Sequence, residues 1–378
     1  MVLTPAGTSK LPVWTNPSAS SFQCTLIDDP DLPHRFHAHL PGFQVSPLVP
    51  LDDLAAELGI KRVFVKDESK RAGLPAFKIL GASWGTFRAV AELVGMEPDV
   101  GLEDVVIKAQ EAEIKLLAAT EGNHGQAVAR MAKLMKLEVE IYASNFMDQS
   151  TESLIAGEGA KVIRVDGDYD AAVAQAAKQA FRKKNHILIQ DNSFEGYEKI
   201  PNWIIEGYST LLMEVESQLQ EVGLKATTIV TPIGVGSLGH AVVSFAKSKS
   251  RGIGVIGVEP INSACLHHSL RTGNNRTIRT TATIMAGMNC GTVSPISWPI
   301  LKQGVNASVT ISEWEAHQAV EYLHRHGIDA GPCGAAALAA LRRVAAENPG
   351  AVGLGRDSVV VLLSTEGKRE YAVPNDDT

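Results

Sequence analysis

Lys78 stands in the apolar frame AFKIL (76–80), directly before a helix-like stretch at 81–93. Most lysines are solvated surface groups, so a single lysine by itself says little about function. An apolar setting changes this, because desolvation disfavours the ammonium form and leaves a nucleophilic amine. Such an amine is suited to Schiff-base chemistry. The sequence therefore indicates Lys78 as a candidate catalytic group.

A glycine-rich loop follows a strand candidate later in the chain. Gly234, Gly236 and Gly239 form the pattern G-x-G-x-x-G between TIVTPIG and a helix-like segment. Glycines let a backbone approach a phosphate closely, and a helix N-terminus supplies free N–H groups and a partial positive charge. Ser237 adds a hydroxyl donor. The loop predicts a phosphate site, and a glycine-rich turn without a ligand is the simpler alternative.

Two kinds of phosphorylated ligand are compatible with this loop. Glu259 ends the next strand candidate, 20 residues after Gly239. A dinucleotide-binding fold places its ribose-binding acid at this distance, so NAD is a competitor. Against NAD, several strand-helix units precede the loop in the chain. The loop alone does not separate NAD from another phosphorylated cofactor.

A third loop, TEGNHG (120–125), also lies between a strand candidate and a helix-like segment. Its backbone N–H groups could hold a carboxylate, and the side chain of Asn123 both donates and accepts hydrogen bonds. The simpler alternatives are an N-cap role for Asn123 and a structural role for His124.

The elements around these loops alternate between two types. Strand candidates, which are short, apolar and β-branched, cover 115–120, 138–144, 161–167, 186–191, 228–234, 254–260 and 358–365. Helix-like stretches cover 81–93, 126–136, 169–185, 200–220 and 333–348. This alternation predicts an α/β fold with helices that flank a mostly parallel sheet. Ligands of such folds bind in the loops beyond the carboxyl ends of the strands.

Composition sets wider limits. The 378 residues are 45% hydrophobic and 20% charged, an ordinary globular mixture, and the net charge of −7 favours neither nucleic acid nor an anionic membrane as partner. No run of about 18 apolar residues predicts a membrane span. Residues 1 to about 20 predict a loosely ordered arm rather than a signal peptide. Four scattered cysteines without CxxC spacing predict free thiols in a reducing cytoplasm and no metal site.

Three segments, taken in order, resemble those of a known family. KDESKRAGLPAFKILGAS (66–83), TEGNHG (120–125) and GVGSLG (234–239) are similar to segments of the fold-type-II pyridoxal-phosphate (PLP) enzymes, the tryptophan-synthase-β-like superfamily. FHAHLPGFQVSPL, QDNSFEGYEKIPNWIIEGY, TIMAGMNCG and LLSTEG resemble the diaminopropionate ammonia-lyases in particular. The resemblance spans about residues 34 to 368. It implies PLP as cofactor, two interleaved domains that each contain a mostly parallel sheet flanked by helices, and a homodimer.

The resemblance also implies roles at the cofactor. Lys78, next to Phe77, holds PLP as a Schiff base and moves protons at Cα of the substrate. Asn123 hydrogen-bonds the 3′-oxygen of PLP. Ser364, with Thr365 as the other candidate, contacts the pyridine nitrogen, which a hydroxyl keeps largely neutral. The phosphate is cradled by Gly234, Val235, Gly236, Ser237 and Leu238.

At the substrate, the resemblance implies two acidic groups. Asp191 matches one of them, and Glu121 stands where the ammonia-lyases carry Asp in TDGNHG. The added methylene extends the carboxylate by on the order of 1.5 Å. Shifts of about 1 Å can cost 100-fold in rate, so a changed substrate or stereochemistry is open. The substrate carboxylate is bound by Ser83, Thr120, Gly122 and His124. A second departure is GPCGAAA (331–337), where related enzymes usually carry Glu or Ser before the Gly-Ala pair.

From the resemblance we expect an arm at 1–20, a large PLP-binding domain of 21–80 and 197–378, and a small domain of 81–196. The implied reaction is α,β-elimination on a small amino acid, 2,3-diaminopropionate or a related β-substituted one. It passes through aminoacrylate to pyruvate and ammonia. A β-replacement synthase, a serine or threonine dehydratase, a racemase and an inactive PLP-binding protein stay open as alternatives, as does an NAD-binding α/β protein.

Overall fold

A computed structural model describes residues 10–24, 29, 31–120, 122–145, 147–248 and 251–375. The chain forms two compact units, and it passes between them more than once. The first unit is Met1–Pro30, Gly42–Phe77 and Ser209–Thr378, and the second is Asp31–Pro41 and Lys78–Tyr208. The domain limits expected from the sequence stay a prediction.

Within the described residues, the elements alternate as the sequence predicts. The strands are β1 (Trp14–Thr15), β2 (Leu48–Pro50), β3 (Arg62–Asp67), β4 (Lys115–Ala119), β5 (Glu138–Ser144), β6 (Lys161–Val165), β7 (His186–Leu188), β8 (Thr228–Pro232), β9 (Gly254–Pro260), β10 (Ala307–Ile311) and β11 (Val359–Ser364). The helices are α1 (Asp31–Ala38), α2 (Asp52–Leu58), α3 (Lys78–Leu93), α4 (Leu102–Glu111), α5 (Asn123–Met135), α6 (Gln149–Gly157), α7 (Tyr169–Ala180), α8 (Lys199–Gly207), α9 (Ser209–Glu221), α10 (Ser237–Lys247), α11 (Cys265–Thr272), α12 (Trp298–Gly304), α13 (Glu313–Arg325) and α14 (Pro332–Glu347).

The first unit is built on a sheet with the strand order β1-β10-β9-β8-β11-β3-β2. Its inner strands pair in parallel, and the edge strands β1 and β2 pair antiparallel to their neighbours. Strands β8 and β11 are buried along their whole length, as their runs of apolar and β-branched residues predict. The alanine-rich helix α14 packs in the core of this unit, where small side chains permit close approach to the sheet.

The second unit is built on a parallel sheet with the order β6-β5-β4-β7. Asp148 and Asp168 cap the helices α6 and α7, since their carboxylates accept the backbone N–H groups of Thr151 and Ala171. A core of Leu117, Tyr142 and alanines of α7 lies against the sheet. The α/β fold with parallel, helix-flanked sheets is thereby confirmed.

Three features differ from the sequence interpretation. The seven strand candidates are all present, but β1, β2, β3 and β10 have no counterpart among them. The single helix expected over 200–220 is wrong, because α8 ends at Gly207 and α9 begins at Ser209, where the chain passes from the second unit to the first. Part of the arm expected to be loosely ordered is fixed, since Trp14 and Thr15 pair with β10. Residues 1–9 lie outside the described residues.

A buried cluster of charges lies at the end of β3, in the chain that leads to Lys78. Arg71 donates to the carboxylates of Glu68 and Glu214, and Lys66 lies 2.6 Å from Glu214. All four side chains are almost fully buried. Their two positive and two negative charges balance, so each charge has a partner inside the unit.

Replacement of Arg71 by methionine should lower the free energy of unfolding by about 3–5 kcal/mol, because two buried carboxylates lose their main partner. Urea denaturation followed by circular dichroism measures this. The matched control is Arg356→Met, at an exposed arginine of the same unit. If Arg71→Met lowered the free energy of unfolding no more than Arg356→Met does, Arg71 would not be the centre of the cluster.

No helix among the described residues is both long and apolar enough to cross a membrane.

Candidate active site

Lys78 and Asp191 form an ion pair within the second unit. Lys78 is the first residue of α3, and Asp191 lies in the segment that follows β7. Their Nζ and Oδ2 atoms are 2.5 Å apart, and the side chains are 20% and 7% exposed. The structure therefore brings together two of the three predicted catalytic residues. It also differs from the wholly apolar setting that the sequence indicates for Lys78, because the amine has a carboxylate partner.

Asp191 is held in place through the residue before it. The side-chain oxygen of Gln190 accepts the backbone N–H of Ala119, and its amide donates to the hydroxyl of Tyr169 at 2.6 Å. The backbone N–H of Gln190 donates to the hydroxyl of Tyr197 at 3.0 Å. One buried hydrogen bond thus ties the segment that carries Asp191 to the end of β4, and a partly buried one joins that segment to the start of α7.

The charge state of Asp191 is determined by opposing effects. Burial alone raises the pKa of this carboxyl, but attraction to the Lys78 ammonium, attraction to His124 and the hydrogen bond from Lys78 outweigh it and lower the pKa to about 2. Asp191 is therefore ionised at neutral pH. It is a buried negative charge that can bind a second cation or receive a proton when Lys78 gives up its charge.

His124 lies beside this pair and is 6% exposed. Its Nε2–H donates to the backbone carbonyl of Ile189 at 2.9 Å, and its Nδ1, which has no hydrogen-bond partner among the described residues, lies 3.9 Å from Asp191 Oδ2. Burial lowers the pKa of His124, with attraction to Asp191 in partial opposition, so the ring is neutral at neutral pH. Its predicted role as a substrate ligand stays a prediction.

Thr120 organises the residues at the start of α5. Thr120 Oγ1 accepts the backbone N–H groups of Gly122 at 2.9 Å and Gly125 at 3.0 Å. Helix α5 begins at Asn123 with Gly122 at its N-cap, so the N-cap interpretation of Asn123 is wrong. Glu121, the third predicted catalytic residue, lies outside the described residues.

Ser83, a predicted substrate ligand, lies deeper than the loop. It is fully buried, with its hydroxyl oxygen 3.2 Å from His37 Nε2 and 3.4 Å from the Leu80 carbonyl. His37 also contacts that carbonyl at 2.8 Å. This hydroxyl therefore already has polar neighbours within the second unit, and its role at the substrate stays a prediction.

The glycine-rich loop lies in the first unit, between β8 and α10, as the sequence predicts. Gly234 and Val235 are partly exposed, and Gly236, Ser237 and Leu238 are buried. Gly236 has φ +94°, a left-handed conformation that favours glycine. It is the N-cap of α10 and offers no side chain to the first N–H groups of that helix, so they are available to an anion.

The end of β11 carries the predicted contacts to the pyridine nitrogen. Ser364 is fully buried, and its hydroxyl has no hydrogen-bond partner among the described residues. Thr365 is 5% exposed, and its carbonyl accepts the backbone N–H of Phe77 at 3.4 Å. A buried hydroxyl without a partner is costly unless a ligand satisfies it.

Glu259, on which the NAD alternative depends, serves another purpose. It is fully buried, and its two carboxylate oxygens accept the backbone N–H groups of Leu266 and His267, each at 2.7 Å. These bonds hold the first turn of α11 and occupy both carboxylate oxygens. The buried carboxylate is therefore not accessible to a ribose. The structure thus argues against NAD binding at this acid.

Sequence reasoning missed three residues that support these groups. They are His37, Gln190 and Glu366, which accepts the backbone N–H of Cys333. Each stands inside a segment that carries the family resemblance, in FHAHLPGF, QDNSFEGYEK or LLSTEG. That placement was the one available signal, since their partners are distant in the sequence.

Comparison with known proteins adds independent findings. A family model described as pyridoxal-phosphate dependent enzyme matches residues 40–365. The diaminopropionate ammonia-lyase of Escherichia coli strain K12 is 31% identical over 352 residues, which cover 89% of this chain and 87% of that enzyme. The enzyme of that name from Salmonella typhimurium strain LT2 is 33% identical over 288 residues, or 74% and 71% of the two chains.

A solved structure agrees with these sequence matches. It is the crystal structure of the Escherichia coli diaminopropionate ammonia-lyase in complex with an aminoacrylate-PLP azomethine reaction intermediate. It aligns with a TM-score of 0.85 and 30% identity, and the alignment covers 95% of this chain and 94% of the other.

Proposed function

The chain belongs to the family of pyridoxal-phosphate-dependent enzymes, and from this premise we propose that it is an ammonia-lyase that cleaves 2,3-diaminopropionate. In this reaction one water and one 2,3-diaminopropionate give one pyruvate and two ammonia. The observation that carries the proposal is the pair of Lys78 and Asp191, an amine and a buried carboxylate 2.5 Å apart.

Two observations fit PLP as the cofactor. The glycine-rich loop presents the uncapped first turn of α10, which suits a phosphate. The orphaned hydroxyl of Ser364 suits a ring nitrogen that accepts a hydrogen bond. In the proposed arrangement, Gly234 to Leu238 hold the phosphate, Ser364 with Thr365 faces the pyridine nitrogen, and Asn123 and Phe77 lie at the ring.

PLP, when bound, supplies an electron sink for the pair of electrons left at Cα when its proton is removed. The amine of Lys78 would hold the cofactor, and it is the group that would take the proton from Cα or return it. Asp191, whose carboxylate lies 2.5 Å from the Lys78 amine, is placed to bind the side-chain ammonium of the substrate. Ser83, Thr120, Gly122 and His124 remain the proposed ligands of the substrate carboxylate.

Asp191 is also suited to proton transfer. Attraction to the Lys78 ammonium is the chief effect that holds its pKa low, whereas burial acts in the opposite direction. When Lys78 gives up its charge, the attraction ends and the burial remains, so the pKa of Asp191 rises toward a value useful to a general acid or base. Glu121 is proposed as the second acid–base group.

Product analysis tests the proposal. The purified enzyme should release two ammonia for each pyruvate from D- or L-2,3-diaminopropionate, and faster than it releases one ammonia for each pyruvate from serine. Lactate dehydrogenase reports pyruvate, and glutamate dehydrogenase reports ammonia. Faster turnover of serine or threonine would instead identify a dehydratase, and loss of α-deuterium without pyruvate would identify a racemase.

The glycine-rich loop has its own test. Gly236→Asp should weaken PLP binding by at least about tenfold, because a charged side chain would enter a left-handed position beside the phosphate and repel it. Fluorescence titration of the resolved apoenzyme with PLP gives the Kd. The control is Gly355→Asp, at an exposed glycine where an added Cβ meets no atom within 4 Å. Equal Kd values for both variants would place the phosphate elsewhere.

A homodimer and a cytoplasmic location complete the proposal. The family resemblance supports the homodimer, and the four scattered cysteines without CxxC spacing support the cytoplasmic location. Light scattering coupled to size exclusion should give about twice the mass of one chain. A monomer mass at micromolar concentration would contradict the dimer.

A further inference from the structure

The contact proposed between Ser364 and the pyridine nitrogen depends on where its hydroxyl can point. Ser364 Oγ is buried and has no hydrogen-bond partner among the described residues. On one side it is closed off by Gly334, since a Cβ on that glycine would lie 2.8 Å from Ser364 Oγ. Gly334 belongs to the first turn of α14. The position of this helix end therefore limits the orientation of the hydroxyl.

The first turn of α14 is itself capped from a distant part of the chain. Its N-cap, Gly331, supplies no side chain. Instead the backbone N–H of Cys333 donates to Glu366 Oε1 at 3.2 Å, and the backbone N–H of Gly331 donates to the Glu366 carbonyl at 3.0 Å. Glu366 follows β11 and is 2% exposed. Its side-chain carboxylate and its backbone carbonyl therefore both hold the start of α14.

The carboxylate of Glu366 has further donors around it. Arg369 Nη1 lies 3.6 Å from its Oε2. Burial raises the pKa of the Cys333 thiol, and the neighbouring Glu366 charge and hydrogen bond act in the same direction, so the thiol stays protonated and donates. A Cβ on Gly331 would lie 3.0 Å from Glu366 Oε1, so the carboxylate occupies the space that a side chain at 331 would need.

The same segment also holds the chain before Lys78. The backbone N–H of Gly367 donates to the carbonyl of Pro75 at 2.8 Å, and Ala76 forms an antiparallel bridge with Glu366. The start of α14 and residues 75–77 are therefore both fixed to the residues that follow β11.

We propose that Glu366 is a positioning residue for the cofactor: by capping α14 it keeps Gly334 against Ser364 and so directs the Ser364 hydroxyl toward the pyridine nitrogen. The inference rests on the proposed role of Ser364 and not on the identity of the amino-acid substrate. It predicts that the acceptor oxygen at position 366 matters more than its negative charge.

Two substitutions separate these properties. Glu366→Gln keeps an oxygen that accepts the Cys333 N–H but removes the charge, and Glu366→Ala removes both. We expect Glu366→Ala to raise the Kd of PLP by about tenfold, the size expected for a lost helix cap, and to shift the visible band of the bound cofactor. Glu366→Gln should stay within about threefold of the parent and keep its spectrum. Glu370→Ala, at an exposed position nearby, is the control.

A second variant tests the inference while it keeps the side chain of Glu366. Gly334→Ala places a methyl group 2.7 Å from the Glu366 carbonyl oxygen and 2.8 Å from Ser364 Oγ, so the start of α14 must shift relative to Ser364. The variant should therefore weaken PLP binding and shift the visible band as Glu366→Ala does. Both readouts are made on the enzyme in the absence of amino acid, so they are independent of which substrate it cleaves.

Three results would overturn the inference. Equal losses of PLP affinity for Glu366→Gln and Glu366→Ala would show that the negative charge at position 366 matters, and not the oxygen that caps α14. Parent-like Kd and spectrum for Glu366→Ala, with only a lower melting temperature, would show a purely structural role. A parent-like Gly334→Ala would show that the helix end does not constrain Ser364.

Discussion

Lys78→Ala should lose nearly all turnover, a decrease of more than roughly 1000-fold, because one residue is asked both to hold the cofactor and to move the proton at Cα. The visible Schiff-base band of the resting enzyme should disappear. Lys78→Arg should fail as well, since a guanidinium does not form this imine at neutral pH. Steady-state assays of pyruvate and absorption spectra of the purified variants measure both effects.

Chemical trapping makes this prediction specific to one residue. Borohydride should fix PLP on the tryptic peptide that contains Lys78. The matched control is Lys70→Ala, in the same segment but with its side chain 83% exposed, which should keep both the band and the rate. Trapping of the cofactor on another lysine would show that Lys78 does not carry PLP.

Much of the scaffold could be predicted because the signal was local. Buried parallel strands such as β8 and β11 are continuous apolar runs, and the loops after β4 and β8 show their glycines directly. Strands β1 and β2 could not be predicted in this way. They span two and three residues at the edges of the sheet, too short to form a pattern of their own.

The site was less predictable because its contacts are distant in sequence. Lys78 and Asp191 were each identified, yet the 2.5 Å bond between them joins residues 113 positions apart. The cap that Glu366 gives to Cys333 spans 33 positions. Neither contact follows from spacing. The apolar frame of Lys78 predicts a desolvated amine, and it gives no sign of the Asp191 carboxylate, which lies on another element.

Asp191→Asn should lower kcat on 2,3-diaminopropionate by roughly 100-fold or more, as expected for the loss of a general acid or base, and leave PLP bound. The amide cannot hold the side-chain ammonium by charge, and it cannot serve as a general acid or base. Asp170→Asn, at an exposed position in the first turn of α7, is the matched control and should keep the parent rate. Near-parent kcat for Asp191→Asn would show that another residue binds the side-chain ammonium and transfers the proton.

The pH dependence of stability gives Asp191 a second readout. Its folded-state pKa of about 2 lies below the ordinary value of about 3.9. A lowered pKa stabilises the folded chain above the unfolded-state value, and this contribution is lost as the pH falls from about 4 toward 2. In the apoenzyme, the difference in melting temperature between parent and Asp191→Asn should therefore be constant from pH 5 to 7 and shrink below pH 4. A difference that changes between pH 5 and 7 would place the titration on another group.

Comparison of Asp191 with Glu121 tests whether both carboxylates act as acid–base groups in the reaction. If each serves one side of Cα, Asp191→Asn and Glu121→Gln should differ in their effects on D- and L-2,3-diaminopropionate. Glu121→Asp is the sharper variant, since it restores the side chain of the related ammonia-lyases and withdraws the carboxylate by one methylene. A gain in diaminopropionate cleavage would show that Glu121 shifts the specificity of this enzyme. If Glu121 only favours a helix N-terminus, worth about 0.3–1 kcal/mol, Glu121→Gln should change the melting temperature slightly and leave kcat unchanged for both enantiomers.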